Sequence, residues 1–282
     1  MGPWLETFGV AALAAGGLFA GLKVSRLRKR YWHVGYVLIF LPLMMVGVAR
    51  NIGSLNFVLP FSWVVAGRNE FVIISFAAAS LAGLVVPHLP GKRLKILVGI
   101  FLGICAVDYT VFWFLTPALM RGRHLSLETV MYDDVCAQST SYTCGPAAAV
   151  TALRQVGVDG DEGELAVAAR TTGVGGTDGD MLARAIRKLF GCEGVSCRYR
   201  YFDTIEQLRE NCPTIAQIKY RFMIDHYVTV LEVTDKDVVV GNPLVGKERL
   251  SHEKFKEKWR FIGIVVNRQS HEASGVIGAK SR

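Results

Sequence analysis

Cys144 is followed by Gly145 and Pro146 and then by an apolar, alanine-rich run, so it stands at the mouth of a buried helix. A helix N-terminus favours negative charge and biases a thiol there toward the thiolate. Gly145 leaves room for a substrate backbone to come close, and Pro146 suits a first turn whose N–H groups have no partner in the helix. Gln138, six residues ahead of the cysteine, carries a side-chain amide able to donate to a developing oxyanion. A thiol nucleophile also needs a base, and the base needs a group to orient it. His226 opens the run His226-Tyr227-Val228-Thr229-Val230, and Asn242 follows sixteen residues later at the end of the next β-rich run, before Pro243. A hairpin of those two strands sets Asn242 beside His226, where it can accept from the ring N–H and fix the tautomer. A lone cysteine or a lone strand histidine reads as core. The four residues together, Cys144, His226, Asn242 and Gln138, point to acyl transfer through a thioester.

The elements that position them follow from the pattern. Pro146–Val156, Glu162–Arg170 and Met181–Phe190 read as helices, with Asp178 or Asp180 capping the third and Gly191 stopping it. The stretch 171–179 holds four glycines and reads as a flexible loop at the rim of a cleft. Val195–Tyr201, Thr214–Lys219, His226–Val233, Val238–Gly241 and Phe261–Val266 read as strands, with a short helix over Thr204–Asn211. Helices first and antiparallel strands afterwards make an α+β domain.

The run Gln-x5-Cys-Gly-Pro at 138–146, His-Tyr-Val at 226–228 and Asn-Pro at 242–243 resemble the C39 peptidases, the papain-like cysteine peptidases that mature bacteriocins. Gly176-Thr177 ahead of a helix ending in Leu189-Phe190-Gly191 extends the likeness. So do Cys212-Pro213-Thr214-Ile215 and the closing stretch Gly246–Val266 with Phe255 and Trp259. The resemblance covers Val130–Asn267 and implies a papain-like fold with Cys144 as nucleophile, His226 as base and Gln138 in the oxyanion hole. Gly145, Tyr227 and Gly176 are the expected substrate contacts, and the substrate is a peptide, in the family one with a Gly-Gly leader. Two departures stand out. The family usually orients its histidine with an aspartate, whereas this chain has Asn242, the residue type papain-type enzymes use. Family members mostly precede an ATP-driven exporter, whereas this chain shows no P-loop and sets the domain behind apolar segments, so an exporter partner would be a separate chain. The alternatives are a non-catalytic C39-like module that binds leader peptides and a regulatory domain of a membrane transport or secretion system.

The 282 residues have a mean hydropathy of +0.31, and the net charge of +8 is unevenly spread. Up to Arg123 there are twelve Lys/Arg against three acids, Glu6, Glu70 and Asp108; from His124 on, twenty basic residues face twenty-one acidic ones. Basic residues that flank apolar runs indicate a membrane topology and not a nucleic-acid footprint. Residues 7–22, 31–49, 71–86 and 94–120 are apolar enough for four spans in lipid, and Phe57–Ala66, with Pro60, is too short to cross. Glu6 before the first run and Lys23, Arg26, Arg28, Lys29 and Arg30 after it argue for a retained helix and not a cleaved signal. Those five, with Lys92, Arg93 and Lys95, outnumber Arg50, Arg68, Arg121 and Arg123 on the other side, which orients both termini outward. The expectation is an integral multi-pass protein: a membrane region at 1–120, an extracytoplasmic peptidase domain at 121–270, and a flexible tail at 271–282. Asp108, inside the fourth run, is a candidate intramembrane site or an acid near a helix end.

No metal-ligand spacing is present, and the chemistry needs no cofactor. Apart from Cys144, the soluble half has Cys136, Cys192, Cys197 and Cys212. An oxidising compartment would permit bridges between Cys192 and Cys197 and between Cys136 and Cys212; free thiols are the plain alternative.

Overall fold

The structure, a computed structural model, describes residues 3–27, 29–221 and 224–269. The expected tail at 271–282 lies outside the described residues. The chain divides into two compact units that meet between Gly122 and Arg123.

The first unit is helical: α1 (Pro3–Ser25), α2 (Trp32–Asn51), the short α3 (Phe61–Val65), α4 (Asn69–Val85), α5 (Lys92–Thr110) and the single turn α6 (Thr116–Leu119). Four helical stretches are long and apolar enough to cross a membrane: Trp4–Ser25, Trp32–Asn51, Asn69–His88 and Lys92–Leu119. In lipid the hydrophobic effect does little to join helices, and close backbone approach takes its place. Gly21 and Gly83 supply that approach between α1 and α4. A Cβ on Gly21 would lie 2.2 Å from the Ser80 carbonyl oxygen, and one on Gly83 2.3 Å from that of Leu18. The Phe57–Ala66 patch folds as a 3₁₀ turn (Gly53–Phe57) and α3, both too short to span.

The short helix α7 (Arg121–Leu125) runs across the boundary, and the second unit continues with a hairpin of β1 (Val130–Tyr132) and β2 (Val135–Ala137). The helices α8 (Cys144–Gln155), α9 (Glu162–Ala168) and α10 (Gly179–Phe190) follow. After them come β3 (Val195–Tyr201), α11 (Ile205–Arg209), β4 (Thr214–Arg221), β5 (Ile224–Val233), β6 (Asp237–Asn242), β7 (Gly246–Ser251), α12 (His252–Lys258) and β8 (Trp259–Arg268). The strands form a six-stranded antiparallel sheet in the order β3-β8-β4-β5-β6-β7. The domain is α+β, helices first and antiparallel sheet last.

Both faces of the sheet are covered, which is why β5 and β6 read as nearly continuous apolar runs. Tyr227, Ile215, Ile264 and Val266 pack with Leu153, Leu182 and Ile186 of α8 and α10. Val228, Val230, Val238 and Val240 pack on the other face with Phe202, Leu208, Phe255 and Trp259. Each apolar side chain so buried contributes about 1.5–3 kcal/mol. Asp178 caps α10 by accepting from the Met181 N–H at 3.0 Å. The helix buries Leu182, Ala183, Ala185, Ile186 and Phe190 along one stripe and turns Arg187 and Lys188 outward.

Candidate active site

Two buried threonines clamp the front of α8 to the strands around it. Thr151 accepts from the Cys136 N–H of β2 at 2.9 Å and donates to the Ala147 carbonyl at 3.1 Å. Thr229 of β5 donates to the Ala148 carbonyl at 2.7 Å. The N-terminus of α8, and with it Cys144, is thereby held against the strand that carries His226 and Tyr227. The Cys144 thiol is mostly buried, and burial pushes its pKa up; the N–H groups of Tyr227, Gly145 and Cys144 itself point at the sulfur and pull the other way.

His226 is buried, and its Nε2 lies 2.9 Å from Asn242 Oδ1. The orientation of the Asn242 amide is fixed by its other partners. Nδ2 donates to Glu248 Oε2 at 2.7 Å, and Oδ1 accepts from the Leu244 N–H at 3.0 Å. An oxygen therefore faces the imidazole, so Nε2 carries the proton and Nδ1 is left as the base. Burial pushes the His226 pKa below its ordinary value, and the Asn242 bond and the Glu248 charge raise it. Among the described residues no hydrogen bond joins the Cys144 sulfur to the imidazole; the sulfur's partners are backbone N–H groups.

Gln138 closes the constellation from the position just after β2. Its N–H donates to the Pro243 carbonyl at 3.0 Å, which ties it to the turn that presents Asn242. Its Nε2 donates to the Thr140 carbonyl at 2.6 Å, which leaves one Nε2 hydrogen, and its Oε1 is buried without a hydrogen-bond partner among the described residues. The loop is braced from below by Glu162, fully buried, which accepts from the Ser139 N–H at 2.9 Å and the Ser139 hydroxyl at 2.6 Å.

A model of the peptidase C39 family matches residues 133–271. An uncharacterized protein of Methanothermobacter marburgensis is 33% identical over 144 residues, which are 51% of this chain and 95% of that protein. The chain belongs to the peptidase C39 family. The pediocin PA-1 transport/processing ATP-binding protein PedD of Pediococcus acidilactici is 26% identical over 132 residues, 46% of this chain but 18% of PedD. Among solved structures, the peptidase domain of Streptococcus ComA, a bi-functional ABC transporter involved in a quorum-sensing pathway, is 23% identical. It covers 47% of this chain and 96% of its own, with a TM-score of 0.42. A double-glycine-motif protease from an AMS/PCAT transporter, solved with its leader peptide, is 16% identical over 48% of this chain and 91% of its own, with a TM-score of 0.40.

Within this C39 domain three of the expected substrate contacts have other surroundings. Gly145 is buried: a Cβ there would lie 3.0 Å from Thr177 Cβ and 3.2 Å from its hydroxyl, so the glycine serves the packing of the 171–179 loop on α8. The Tyr227 side chain is in the core, near Gly179, and its backbone N–H points at the thiol. Gly176, at φ +66°, closes a tight turn in which Thr172 and Gly176 exchange backbone bonds of 2.9 and 3.0 Å. The glycine-rich stretch is thus a pinned turn, tied further by the 2.8 Å Thr171–Thr177 hydroxyl pair.

The two bridges considered from sequence do not form, and all six cysteines are free thiols. Cys136 and Cys212 belong to the cores on opposite faces of the sheet. Cys197 turns toward α10, 3.0 Å from the Ala183 carbonyl, while Cys192 is exposed on the turn after that helix. Glu248 was not singled out from sequence. Its place on β7, opposite Val240, is set by a polar strand that carries little apolar signal.

Proposed function

We propose that this protein is a membrane-anchored cysteine peptidase that hydrolyses a peptide bond at the end of a Gly-Gly-type leader. Its extracytoplasmic peptidase domain is held by four spans, and a separate exporter handles the product. One observation carries the reading: the 2.9 Å His226–Asn242 contact, with Nδ1 left as a base on the strand whose next N–H points at the Cys144 sulfur. In this reaction Cys144 Sγ attacks the scissile carbonyl carbon while its proton passes to His226 Nδ1. The carbonyl oxygen takes up the negative charge, stabilised by the Cys144 N–H and the remaining Nε2 hydrogen of Gln138. His226 returns the proton to the leaving amine nitrogen, the C–N bond breaks, and water then hydrolyses the thioester with His226 again as base. Asn242 keeps the ring aligned throughout. A second reading, a C39-like module that binds leaders without cutting them, is favoured by the sulfur's hydrogen bonds to backbone and not to the imidazole.

The test is hydrolysis by the full chain in nanodiscs against a peptide library that includes Gly-Gly leaders. Cleavage that falls by at least about a thousandfold in Cys144→Ala supports the peptidase, in line with the loss of a nucleophile. Leader binding without cleavage, unchanged in Cys144→Ala, overturns it in favour of the binding module.

A further inference from the structure

The acceptor beside His226 is neutral, and a carboxylate stands directly behind it. Glu248 Oε2 accepts from Asn242 Nδ2 at 2.7 Å, and Asn242 Oδ1 accepts from His226 Nε2 at 2.9 Å. The three side chains lie on the same face of β5, β6 and β7 and line one cavity of about 350 Å³. Cross-strand pairing fixes the spacing, since Glu248 stands opposite Val240 and Gly246 opposite Asn242.

We infer that Glu248 is a positioning residue of the thiol reaction, which delivers through the Asn242 amide the negative charge that a directly bound aspartate would supply. This rests on the peptidase reading of Cys144 and His226. The amide has one oxygen and one nitrogen to offer. With Nδ2 committed to Glu248, the oxygen must face the imidazole, so the carboxylate chooses the tautomer as well as the charge. When Nδ1 takes the thiol proton, the imidazolium formed is stabilised by the chain Nε2–H to Oδ1 and Nδ2–H to carboxylate.

The other groups around His226 do not supply this charge. Tyr220 of β4 packs against the imidazole at a tilt of 41°, with ring centroids 5.6 Å apart. Lys219 of β4 and Lys258 of α12 line the same cavity and are positive, and Lys219 is bonded to the Glu257 carbonyl at 3.3 Å. Asp225, the next residue on β5, is bound to Arg260 at 2.8 Å and to Gln217 at 2.8 Å. Glu248 is the carboxylate whose charge bears on His226, and the direction of its effect is upward.

The experiment is the alkylation rate of Cys144 by iodoacetamide at neutral pH in the full chain in nanodiscs, read peptide by peptide by mass spectrometry. It needs no substrate, and the exposed Cys192 serves as an internal control. In the peptidase reading the thiol passes its proton to His226, so its thiolate fraction depends on the basicity of that imidazole, and Glu248→Gln, which keeps an acceptor for Asn242 but removes the charge, slows Cys144 roughly threefold to tenfold and leaves Cys192 unchanged. Asn242→Asp in the Glu248→Gln background restores the rate, because the carboxylate then touches His226 directly. An unchanged Cys144 rate in Glu248→Gln, or a loss that Asn242→Asp does not restore, overturns the inference. Hydrolysis with no Cys144 alkylation change sinks Glu248 alone; a change in alkylation without any hydrolysis sinks the peptidase reading and leaves the relay.

Discussion

Both buried imidazoles of the peptidase unit, His124 and His226, sit where a positive charge is disfavoured. Burial, and then the neighbouring Arg123, push the His124 pKa below 6.5, and among the described residues both of its ring nitrogens lack hydrogen-bond partners. Burial pushes His226 the same way, partly offset by Asn242 and Glu248. A histidine depressed in the fold keeps its ordinary value of 6.5 in the unfolded chain, so below that pH the unfolded chain binds a proton that the fold refuses. The stability these two residues contribute is present above 6.5 and is lost as pH falls toward the depressed values. The unfolding midpoint of the full chain in detergent therefore drops on acidification from about pH 7 to about pH 5.5, before most carboxylates titrate. His124→Phe removes one contribution and flattens that dependence. A midpoint independent of pH across the window, or a slope untouched by His124→Phe, contradicts this account.

At the scale of elements, the clamps on α8 make an ordering testable. Thr229→Val removes one hydroxyl donor from a helix carbonyl that keeps its own helical partner, a loss of about 0.5–1.5 kcal/mol. Thr151→Val leaves the buried Cys136 N–H with no acceptor and costs more, about 1–3 kcal/mol. Denaturant titration of both variants should give that order, and the reverse would mean that the helix is held by β5 more than by β2. The same elements mark how far the sequence could be read. α8, α10 and β4 to β6 were legible because each carries a cap or a run of apolar residues, and β3 because Val195, Cys197, Tyr199 and Tyr201 alternate with polar residues; β5 alone buries Tyr227, Val228, Thr229 and Val230 in succession. β7 and α12 were not, because Gly246–Ser251 is half charged and His252–Lys258 buries only Phe255. The β1–β2 hairpin turns through Asp133 and Asp134, both with positive φ, in strands of three residues whose pattern is too short to register. At the site, the pairing of His226 with Asn242 followed from two adjacent strands. Glu248 required a third strand whose register the sequence does not reveal. The choice between bridges and free thiols stayed open for a related reason: counting cysteines says nothing of which face of a sheet each one meets.

For the whole molecule, the proposed membrane anchoring raises the question of the side on which the C39 unit would lie. The basic loops at 23–30 and 92–95 carry eight Lys/Arg. Of the four on the other side, Arg50 is paired with Glu70, and Arg68 is buried with its guanidinium on the Trp113 carbonyl. Orientation follows the Lys/Arg count of the loops, to which acids contribute little, so the bias stands at eight against four. Four stretches long enough to cross bring the chain back to the side on which it began. The prediction is an outward N-terminus and an outward peptidase unit. Cys192 is the reporter, since it is the exposed thiol of the unit, while Cys105 lies within α5. A membrane-impermeant maleimide should label Cys192 in intact cells to the same extent as after permeabilisation, and Cys192→Ser should remove most of the signal. Labelling that appears only after permeabilisation would put the unit in the cytoplasm. It would also mean either that the N-terminus lies inside or that one of the four stretches does not span, the shortest being Trp32–Asn51 and Asn69–His88 at 20 residues each.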